Sequence, residues 1–300
     1  MIVRRAPPRT PSRPTYSRRA FTAVFDGPSG GGGRLRWVVD VLGIVVACAI
    51  ASFSLGLDAS HSAEIPLEER KSGYEFMGRE TRAIQDDDTA NPGMFAVLDG
   101  EALWNRKEGA ANKSCADCHA DASASMKGVA ARYPAFSPVH ARPIDLEQRI
   151  NDCRTDKQQA AALSPESKEL LALEAYVGRQ SRGMPITVDI EGRARPFFEA
   201  GRATFFRRQG QLNFACASCH DDNWLEKLAG SPITQAHPTG YPLYRLEWQG
   251  VGSLQRRLRA CLAGMRAEPY PYGAPELVDL ELYLKWRARG LAIETPAVRP

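Results

Sequence analysis

Apolar side chains recur at helical spacing near the C-terminal end of the chain. Leu277, Leu280, Tyr283 and Leu284 fall on one face of a helix with 3.6 residues per turn. Gly290 follows, and glycine commonly ends helices because it adopts a positive φ at little cost. The pattern predicts a packed helix that ends at this glycine.

The same pattern occurs about a hundred residues earlier, where another helix is predicted to end at Gly183. The matched segments are 100–104 with 201–205, 146–153 with 254–261, 173–177 with 280–284, and 181–183 with 288–290. Self-similarity at this length indicates two copies of one small domain, because solenoid repeats are much shorter. Pro-rich segments at 134–143 and 232–242 connect the helices. The sequence predicts a mainly α fold with two tandem domains, 64–190 and 191–300, related by internal duplication.

Each copy contains one Cys-x-x-Cys-His motif: Cys115, Cys118 and His119 in the first copy, and Cys216, Cys219 and His220 in the second. In this motif the two thiols form thioethers to the haem vinyl groups, and the histidine becomes an axial ligand of the iron. The sequence therefore predicts two covalently bound haem c groups, and both copies are interpreted as cytochrome c-like domains.

Two further cysteines, Cys153 and Cys261, occupy matching positions downstream of the motifs. A distal methionine is usual in electron-transfer cytochromes c, and Met184 is the only methionine in a plausible place, but its counterpart is Leu291. The repeat preserves cysteine instead, so we assign Cys153 to the first iron and Cys261 to the second. An iron–thiolate bond keeps the sulfur anionic and lowers the reduction potential, which suits sulfur chemistry better than simple electron transfer.

Other interpretations of these positions stay open. Cys153 and Cys261 are also compatible with inert buried thiols, since free cysteine is commonly buried, or with a disulfide that would complete an even pairing. His140 and His237 are alternative distal ligands, although isolated histidines near proline in a connecting segment are more often surface or capping residues.

Arg257 precedes Cys261 by four residues, so on a helix both side chains point the same way. A guanidinium there can hold a small oxyanion beside the sulfur through paired hydrogen bonds. Arg245, Arg256 and Arg259 add positive charge nearby, although a solvated basic helix face gives the same pattern. In the first copy Arg149 also precedes its cysteine by four residues, but acidic Asp152 lies alongside.

The net charge of +4 comes from the N-terminal leader at 1–63, which contains eight arginines and three acidic residues. The remaining chain is nearly neutral, so nothing supports a nucleic-acid partner. A basic flank, the apolar run 38–51 and Ala49-x-Ala51 are typical of a secretory signal peptide. We favour a cleaved signal over a membrane anchor, and a Sec-type route over twin-arginine export. Thioether attachment of haem implies a periplasmic location.

The chain closely resembles the SoxA family, the dihaem catalytic subunits of the SoxAX cytochromes of bacterial sulfur oxidation. The resemblance covers about residues 68–300. Besides the two haem motifs and Arg257-x-x-x-Cys261, it rests on the segments 70–77, 85–94, 100–104, 266–273 and 280–284. Together these segments are far more specific than a single Cys-x-x-Cys-His motif.

The resemblance implies an L-cysteine S-thiosulfotransferase that joins thiosulfate to a cysteine of the carrier SoxYZ, with two electrons released. It implies that Cys261 is catalytic, is often carried as a persulfide, and ligates the second haem opposite His220, while Arg257 anchors the substrate. Cys153 would ligate the first haem opposite His119. The implied partners are the monohaem cytochrome subunit SoxX, in a heterodimer, and a small acceptor cytochrome c.

Two rival functions belong to other classes. A plain dihaem electron carrier requires methionine or histidine at both distal positions. A dihaem peroxidase requires an open or displaceable iron position for peroxide. Neither accounts for the matched cysteines 153 and 261.

Overall fold

The computed structural model describes residues 64–300. Helices dominate this part of the chain, which confirms the prediction of a mainly α fold. The α-helices are α1 Arg79–Asp86, α2 Gly93–Asn105, α3 Ala116–His119, α4 Ala122–Ser125, α5 Leu146–Cys153, α6 Lys168–Arg179, α7 Arg195–Phe206, α8 Cys216–His220, α9 Leu254–Gly264 and α10 Pro275–Arg287. The strands are β1 Ala135–Ser137, β2 Arg142–Ile144, β3 Lys227–Leu228, β4 Ser231–Pro232, β5 Leu243–Arg245, β6 Gly250–Gly252 and β7 Ala297–Arg299.

Each copy is organised around one tightly packed helix pair, α2 with α6 in the first copy and α7 with α10 in the second. A glycine lies at each crossing. A Cβ on Gly100 would collide with the backbone carbonyl of Ala172, and a Cβ on Gly201 would collide with that of Asp279. The matched glycines therefore permit the close approach of the helix backbones in both copies.

The helices that carry Cys153 and Cys261 each follow an antiparallel hairpin, β1–β2 before α5 and β5–β6 before α9. Each begins at a side-chain N-cap. The Asp145 carboxylate accepts the Gln148 N–H at 2.7 Å, and the Ser253 hydroxyl accepts the Arg256 N–H at 3.1 Å. These caps satisfy helix N–H groups and fix where each helix starts, so both cysteines are presented from the same place in the fold.

A tight loop before each Cys-x-x-Cys-His motif contacts the end of the corresponding cysteine helix. Gly109 and Gly210 take positive φ values of 69° and 71° in these loops. In the second copy the Gln211 N–H donates to the Arg266 carbonyl at 3.2 Å, and the Ala110 N–H makes the matching bond in the first copy. The haem motif and the distal cysteine are thereby tied together by backbone hydrogen bonds.

The two copies are joined through the segments that follow α6 and α10. Gly183 and Gly290 have φ values of +82° and +86°, as expected for helix-ending glycines, although the helices end a few residues earlier than predicted. The Gly183 N–H donates to the Ile293 carbonyl at 2.8 Å, which pairs the two segments. Residues 186–190 then contribute apolar side chains to the core of the second copy. The predicted division near residue 190 accordingly stays a prediction.

No helix within residues 64–300 is long and apolar enough to cross a membrane. The predicted leader, with its signal peptide or anchor, lies outside the described residues.

Candidate functional site

The first haem motif borders a cavity of about 280 Å³. Cys115, Cys118, His119 and Cys153 all line this cavity. Apolar and aromatic side chains form much of the remaining wall: Trp104, Met126, Val129, Tyr133, Leu146, Ile150, Leu173 and Val177. The structure thus brings together the four residues predicted for the first haem, around a space with a largely apolar lining.

Local hydrogen bonds shape the turn of this first motif. The Ser114 N–H donates to the Asp117 carboxylate at 2.8 Å, and the Asp117 N–H donates back to the Ser114 hydroxyl at 3.0 Å. Trp104 packs against His119 with ring centroids 5.7 Å apart, and its indole N–H donates to the Ala120 carbonyl at 3.1 Å. The end of α2 therefore holds the histidine from one side.

In the second motif, His220 is oriented by the backbone. Its Nδ1 lies 2.6 Å from the Thr234 carbonyl, so Nδ1–H donates and Nε2 carries the lone pair. Burial lowers the pKa of His220, and the nearby Arg257 guanidinium lowers it further. A neutral imidazole with a fixed tautomer is the form that binds iron.

Cys261 lies beside the cysteines of this second motif. Burial, and after it the proximity of Cys261, raises the pKa of Cys216 to about 12. Burial, and after it Cys261, also raises the pKa of Cys219. Cys216 also packs against the apolar core of the second copy. The four residues predicted for the second haem are therefore together.

Of the four arginines predicted near Cys261, two are held by other groups. Arg256 pairs with Glu166 at 3.7 Å and stacks on Trp248 at 4.3 Å. The Arg259 guanidinium donates to the Tyr270 carbonyl. Both side chains are therefore held by other groups, and their contribution to the positive charge near Cys261 stays a prediction.

Arg245 and Arg257 are the two that remain close to the sulfur. The pKa of Arg245 is lowered by burial and then by the Arg257 guanidinium, while Cys261 is among the groups that raise it. Tyr241 lies near Arg245, Arg257 and Cys261. Its pKa is raised mainly by burial, with both guanidiniums and Cys261 also acting on it. The site thus combines a thiol, a phenol and two cations.

Sequence reasoning missed Tyr241 and its counterpart Tyr133. In both copies a Tyr-Pro dipeptide precedes the cysteine by twenty residues, so the signal was present in the repeat. In the first copy Arg149 donates to the Tyr133 hydroxyl at 3.1 Å. The tyrosine contacts the arginine four residues before the cysteine, which gives the dipeptide a role in the site.

The two histidines considered as alternative ligands each have a partner of their own. His140 pairs with the Asp152 carboxylate at 3.0 Å near the surface. His237 is buried, its Nδ1 bonds the Lys71 carbonyl at 2.8 Å, and burial lowers its pKa to about 4. After burial, the charges of Arg287, Arg70 and His220 also lower this pKa.

The methionines give a different result from the sequence-based expectation. Met126, rather than Met184, borders the first cavity. Met184 lies against Gly128 instead. Cys153 and Met126 therefore both line this cavity, but only the cysteine position is repeated in the second copy.

These residues fit a c-type haem. Paired cysteines for the vinyl groups, a histidine next to them and a thiol facing the same apolar space make up the donor set of such a group. In the second copy, the Thr234 carbonyl sets the His220 tautomer that leaves Nε2 for the metal.

Comparison with known proteins identifies the domain type. The family model described as SoxA/TsdA, cytochrome c domain, matches twice, at residues 99–186 and 200–293. This confirms the two cytochrome c domains, and that domain type implies covalently bound haem c.

Curated relatives of this chain include two proteins named L-cysteine S-thiosulfotransferase subunit SoxA. The protein of Pseudaminobacter salicylatoxidans is 42% identical over 235 residues, which cover 78% of this chain and 82% of the relative. That of Rhodovulum sulfidophilum is 37% identical over 232 residues, covering 77% and 81%. The crystal structure of SoxXA from P. pantotrophus superposes with a TM-score of 0.74 at 33% identity, covering 77% of this chain and 87% of the solved one.

Proposed function

This chain belongs to the SoxA/TsdA cytochrome c family, and on that premise we propose that it is an L-cysteine S-thiosulfotransferase subunit. It joins thiosulfate to a cysteine of a carrier protein in sulfur oxidation. The observation that carries the proposal is the placement of Cys261 beside the second haem motif, with Arg257 near it. Thiosulfate supplies the dianion that this cationic site attracts, and Cys261 supplies the sulfur to which it couples.

Arg257 has the chemistry needed for substrate binding. No carboxylate pairs with its guanidinium within residues 64–300, so its donors are free for an anion. A guanidinium holds an oxyanion through two parallel hydrogen bonds, which are stronger than neutral ones. Arg257 therefore orients the sulfonate and turns the terminal sulfur of thiosulfate toward Cys261.

The reaction balances in two steps. The Cys261 thiolate and thiosulfate form a sulfur–sulfur bond, giving Cys261–S–S–SO₃⁻ and releasing two electrons. The carrier thiolate then attacks the sulfur that bears the sulfonate, and the bond to Cys261 breaks. The product is carrier–S–S–SO₃⁻, and Cys261 returns as a thiolate. Removal of the two electrons drives the first step, in which two nucleophilic sulfurs couple, and thiolate nucleophilicity drives the second.

Two haem c groups complete the proposed protein. Cys115, Cys118, His119 and Cys153 would hold the first, and Cys216, Cys219, His220 and Cys261 would hold the second. Haem supplies one-electron redox capacity, so the electrons from sulfur–sulfur bond formation can leave toward an acceptor. Burial keeps His220 neutral as a ligand, and the Thr234 carbonyl keeps its ring oriented.

The partners and compartment follow from the same family membership. The solved relative is a SoxXA protein, so we place a SoxX-type monohaem subunit beside this chain, SoxYZ as the carrier and a small cytochrome c as the electron acceptor. Covalent haem attachment favours the periplasm, with the leader 1–63 as the export signal. A plain dihaem electron carrier is not favoured, because the named relatives are transferases.

The test replaces the proposed nucleophile in the holoprotein. Cys261→Ala, with its partner subunit, should lose thiosulfate conjugation to SoxYZ by at least about a thousandfold, since removal of a covalent nucleophile eliminates the pathway. A pyridine haemochrome assay should still find two haems per chain. Retained conjugation in this variant would remove Cys261 from the mechanism and return the chain to the electron carriers.

A further inference from the structure

Around Cys153 and Cys261, the two copies share several side chains and differ at others. Residues 108 apart in sequence occupy equivalent places: Tyr133 and Tyr241, Arg149 and Arg257, and Cys153 and Cys261. Two other pairs change chemistry: Ser137 is replaced by Arg245, and Asp152 is replaced by Ala260. The first copy therefore serves as an internal reference for what is special about the second.

In the first copy the arginine beside the cysteine is neutralised within the protein. Arg149 Nη1 lies 3.6 Å from the Asp152 carboxylate, and its Nε donates to the Tyr133 hydroxyl. Asp152 is also paired with His140 at 3.0 Å. One donor of Arg149 is engaged and a carboxylate offsets part of its charge, so Arg149 attracts an external anion less than an arginine without these partners.

In the second copy the carboxylate is gone and a second cation is present. Ala260 has no charge to offer Arg257. Arg245 ends β5 with a side chain that is only 13% exposed, and it lies within electrostatic range of Arg257 and Cys261. The position is defined by the sheet, because β5 pairs with β6 on one side and with β7 on the other.

Arg245 is only partly neutralised by the protein. Glu247 Oε2 lies 2.9 Å from its Nε, but off the N–H direction, so this buried N–H has no hydrogen-bond acceptor in the described structure. Glu247 is itself 65% exposed, and water screens such a surface partner strongly. The guanidiniums of Arg245 and Arg257 are opposed only by the screened Glu247 carboxylate, so the region beside the Cys261 sulfur has a net positive charge.

We propose that Arg245 is a second substrate-binding residue, which holds the sulfonate of thiosulfate together with Arg257 while the terminal sulfur faces Cys261. The inference rests on the proposed function and extends it to a specific residue. Thiosulfate carries two negative charges and three sulfonate oxygens, so two planar guanidiniums match both its charge and its donor requirement. Tyr241 occupies the place of Tyr133 and adds a hydroxyl donor to the same space.

Equilibrium dialysis with labelled thiosulfate tests Arg245 separately from turnover. The oxidised holoprotein carries Cys261→Ala, so that thiosulfate binds but does not react. Adding Arg245→Gln should raise the dissociation constant about ten- to hundredfold, because one charge-assisted hydrogen-bonding partner is lost. Arg256→Gln is the matched control: it removes the same charge nearby from a side chain already held by Glu166 and Trp248, and should change binding less than about threefold.

The outcomes are distinguishable. Equal binding with and without Arg245→Gln overturns the role of Arg245 and leaves the proposed function standing, because conjugation by the protein with intact Cys261 is measured on its own. Equal weakening by Arg256→Gln also overturns it, since general charge would then suffice. Failure of the parent protein to bind thiosulfate overturns the inference, and failure to conjugate it overturns the proposed function.

A second variant leaves β5 untouched. Ala260→Asp restores the first-copy carboxylate three residues after Arg257, at an exposed helix position. It should weaken thiosulfate binding about three- to tenfold through internal pairing and repulsion of the anion. Ala260→Asn has the same shape without the charge and should bind like the parent. Identical binding by the two variants would contradict the proposed contrast between the copies.

Discussion

At the residue scale, the proposed distal ligands are Cys153 and Cys261, which occupy matched positions in the two copies. Cys153 lines the first cavity directly, and Cys261 lies close enough to Cys216 and Cys219 in the second copy to raise the pKa of both. Each cysteine comes from the helix that starts at a side-chain N-cap, so its position is set by the backbone. A thiol held there is available to iron without rearrangement of the helix.

Low-temperature electron paramagnetic resonance should therefore detect histidine–thiolate ligation. The oxidised holoprotein is expected to show low-spin signals with a narrow g-spread from both haems, because a thiolate is a strong donor. Cys153→Ala should remove one of these signals and leave the other. Spectra typical of histidine–methionine ligation at the first haem would instead identify Met126, which borders the same cavity.

The sequence was sufficient to propose the main site residues but not to predict their neighbours. Cys261 and Arg257 stand out because they recur at one spacing in both copies. The partner that neutralises an arginine depends on the direction of its side chain, and the spacing of residues in the sequence does not reveal that direction. Arg256 and Arg257 are adjacent in sequence, yet one stacks on Trp248 and the other lies near Cys261. The partial neutralisation of Arg245 by an exposed glutamate was likewise visible only in three dimensions.

At the element scale, the two glycine crossings set the distance between the paired helices. Around the second crossing, aromatic rings fill the space on either side: Phe198 and Tyr283 are 5.6 Å apart, and Phe205 and Tyr283 are 5.3 Å apart. Phe205 is fully buried. The sequence revealed that Gly100 and Gly201 match, but the reason appeared only when the helix backbones were seen to meet at these residues.

Gly201→Ala should destabilise the protein by about 2–4 kcal/mol, because the added Cβ meets the Asp279 carbonyl and forces α7 away from α10. The thermal midpoint of the holoprotein measures this loss. Gly264→Ala is the control, since a Cβ at the end of α9 has no heavy atom within 4 Å. It should leave the midpoint unchanged or raise it slightly. Similar midpoints for both variants would show that the crossing is not closely packed.

At the scale of the whole molecule, the duplication was predictable and the joining of the copies was not. Repeated motifs and helices mark the two domains. The copies are joined by segments outside regular secondary structure. Ile186 and Val188 belong to such a segment and follow no helical or strand periodicity, yet they pack into the core of the second copy. Strand β7 pairs in parallel with β5, although the two strands are far apart in the sequence. Isolated apolar residues in short segments do not show, from the sequence, in which of the two cores they are buried.

The copies also meet at a group of buried acidic side chains that the sequence did not indicate. Glu174 on α6 and Glu281 on α10 occupy matched positions in the repeat and influence each other electrostatically. Asp145, Glu147 and Lys285 complete the group. Burial raises the pKa of Glu147 to about 8 and that of Asp145 to about 6. Burial also raises the pKa values of Glu174 and Glu281, while Lys285 opposes the increase in both.

These raised pKa values predict a molecule that is more stable in mild acid than in mild base. Between the unfolded carboxyl pKa near 4.5 and the folded pKa of Glu147 near 8, the folded state binds more protons than the unfolded state. The free energy of unfolding therefore falls as pH rises through this window, by up to about 1.4 kcal/mol per pH unit for each extra proton. Burial lowers the pKa of Lys285, and this acts in the opposite direction at higher pH.

Glu174→Gln should flatten this dependence, because a neutral amide of similar shape removes one buried charge and can still bond Glu147. We expect the thermal midpoint of the variant to exceed that of the parent at pH 8 and to approach it at pH 5.5. Glu169→Gln, on the exposed first turn of the same helix, should shift the midpoint equally at both pH values. If the parent is instead equally stable at pH 5.5 and pH 8, the buried carboxyls do not retain their protons, and the contact between the copies must be stabilised without them.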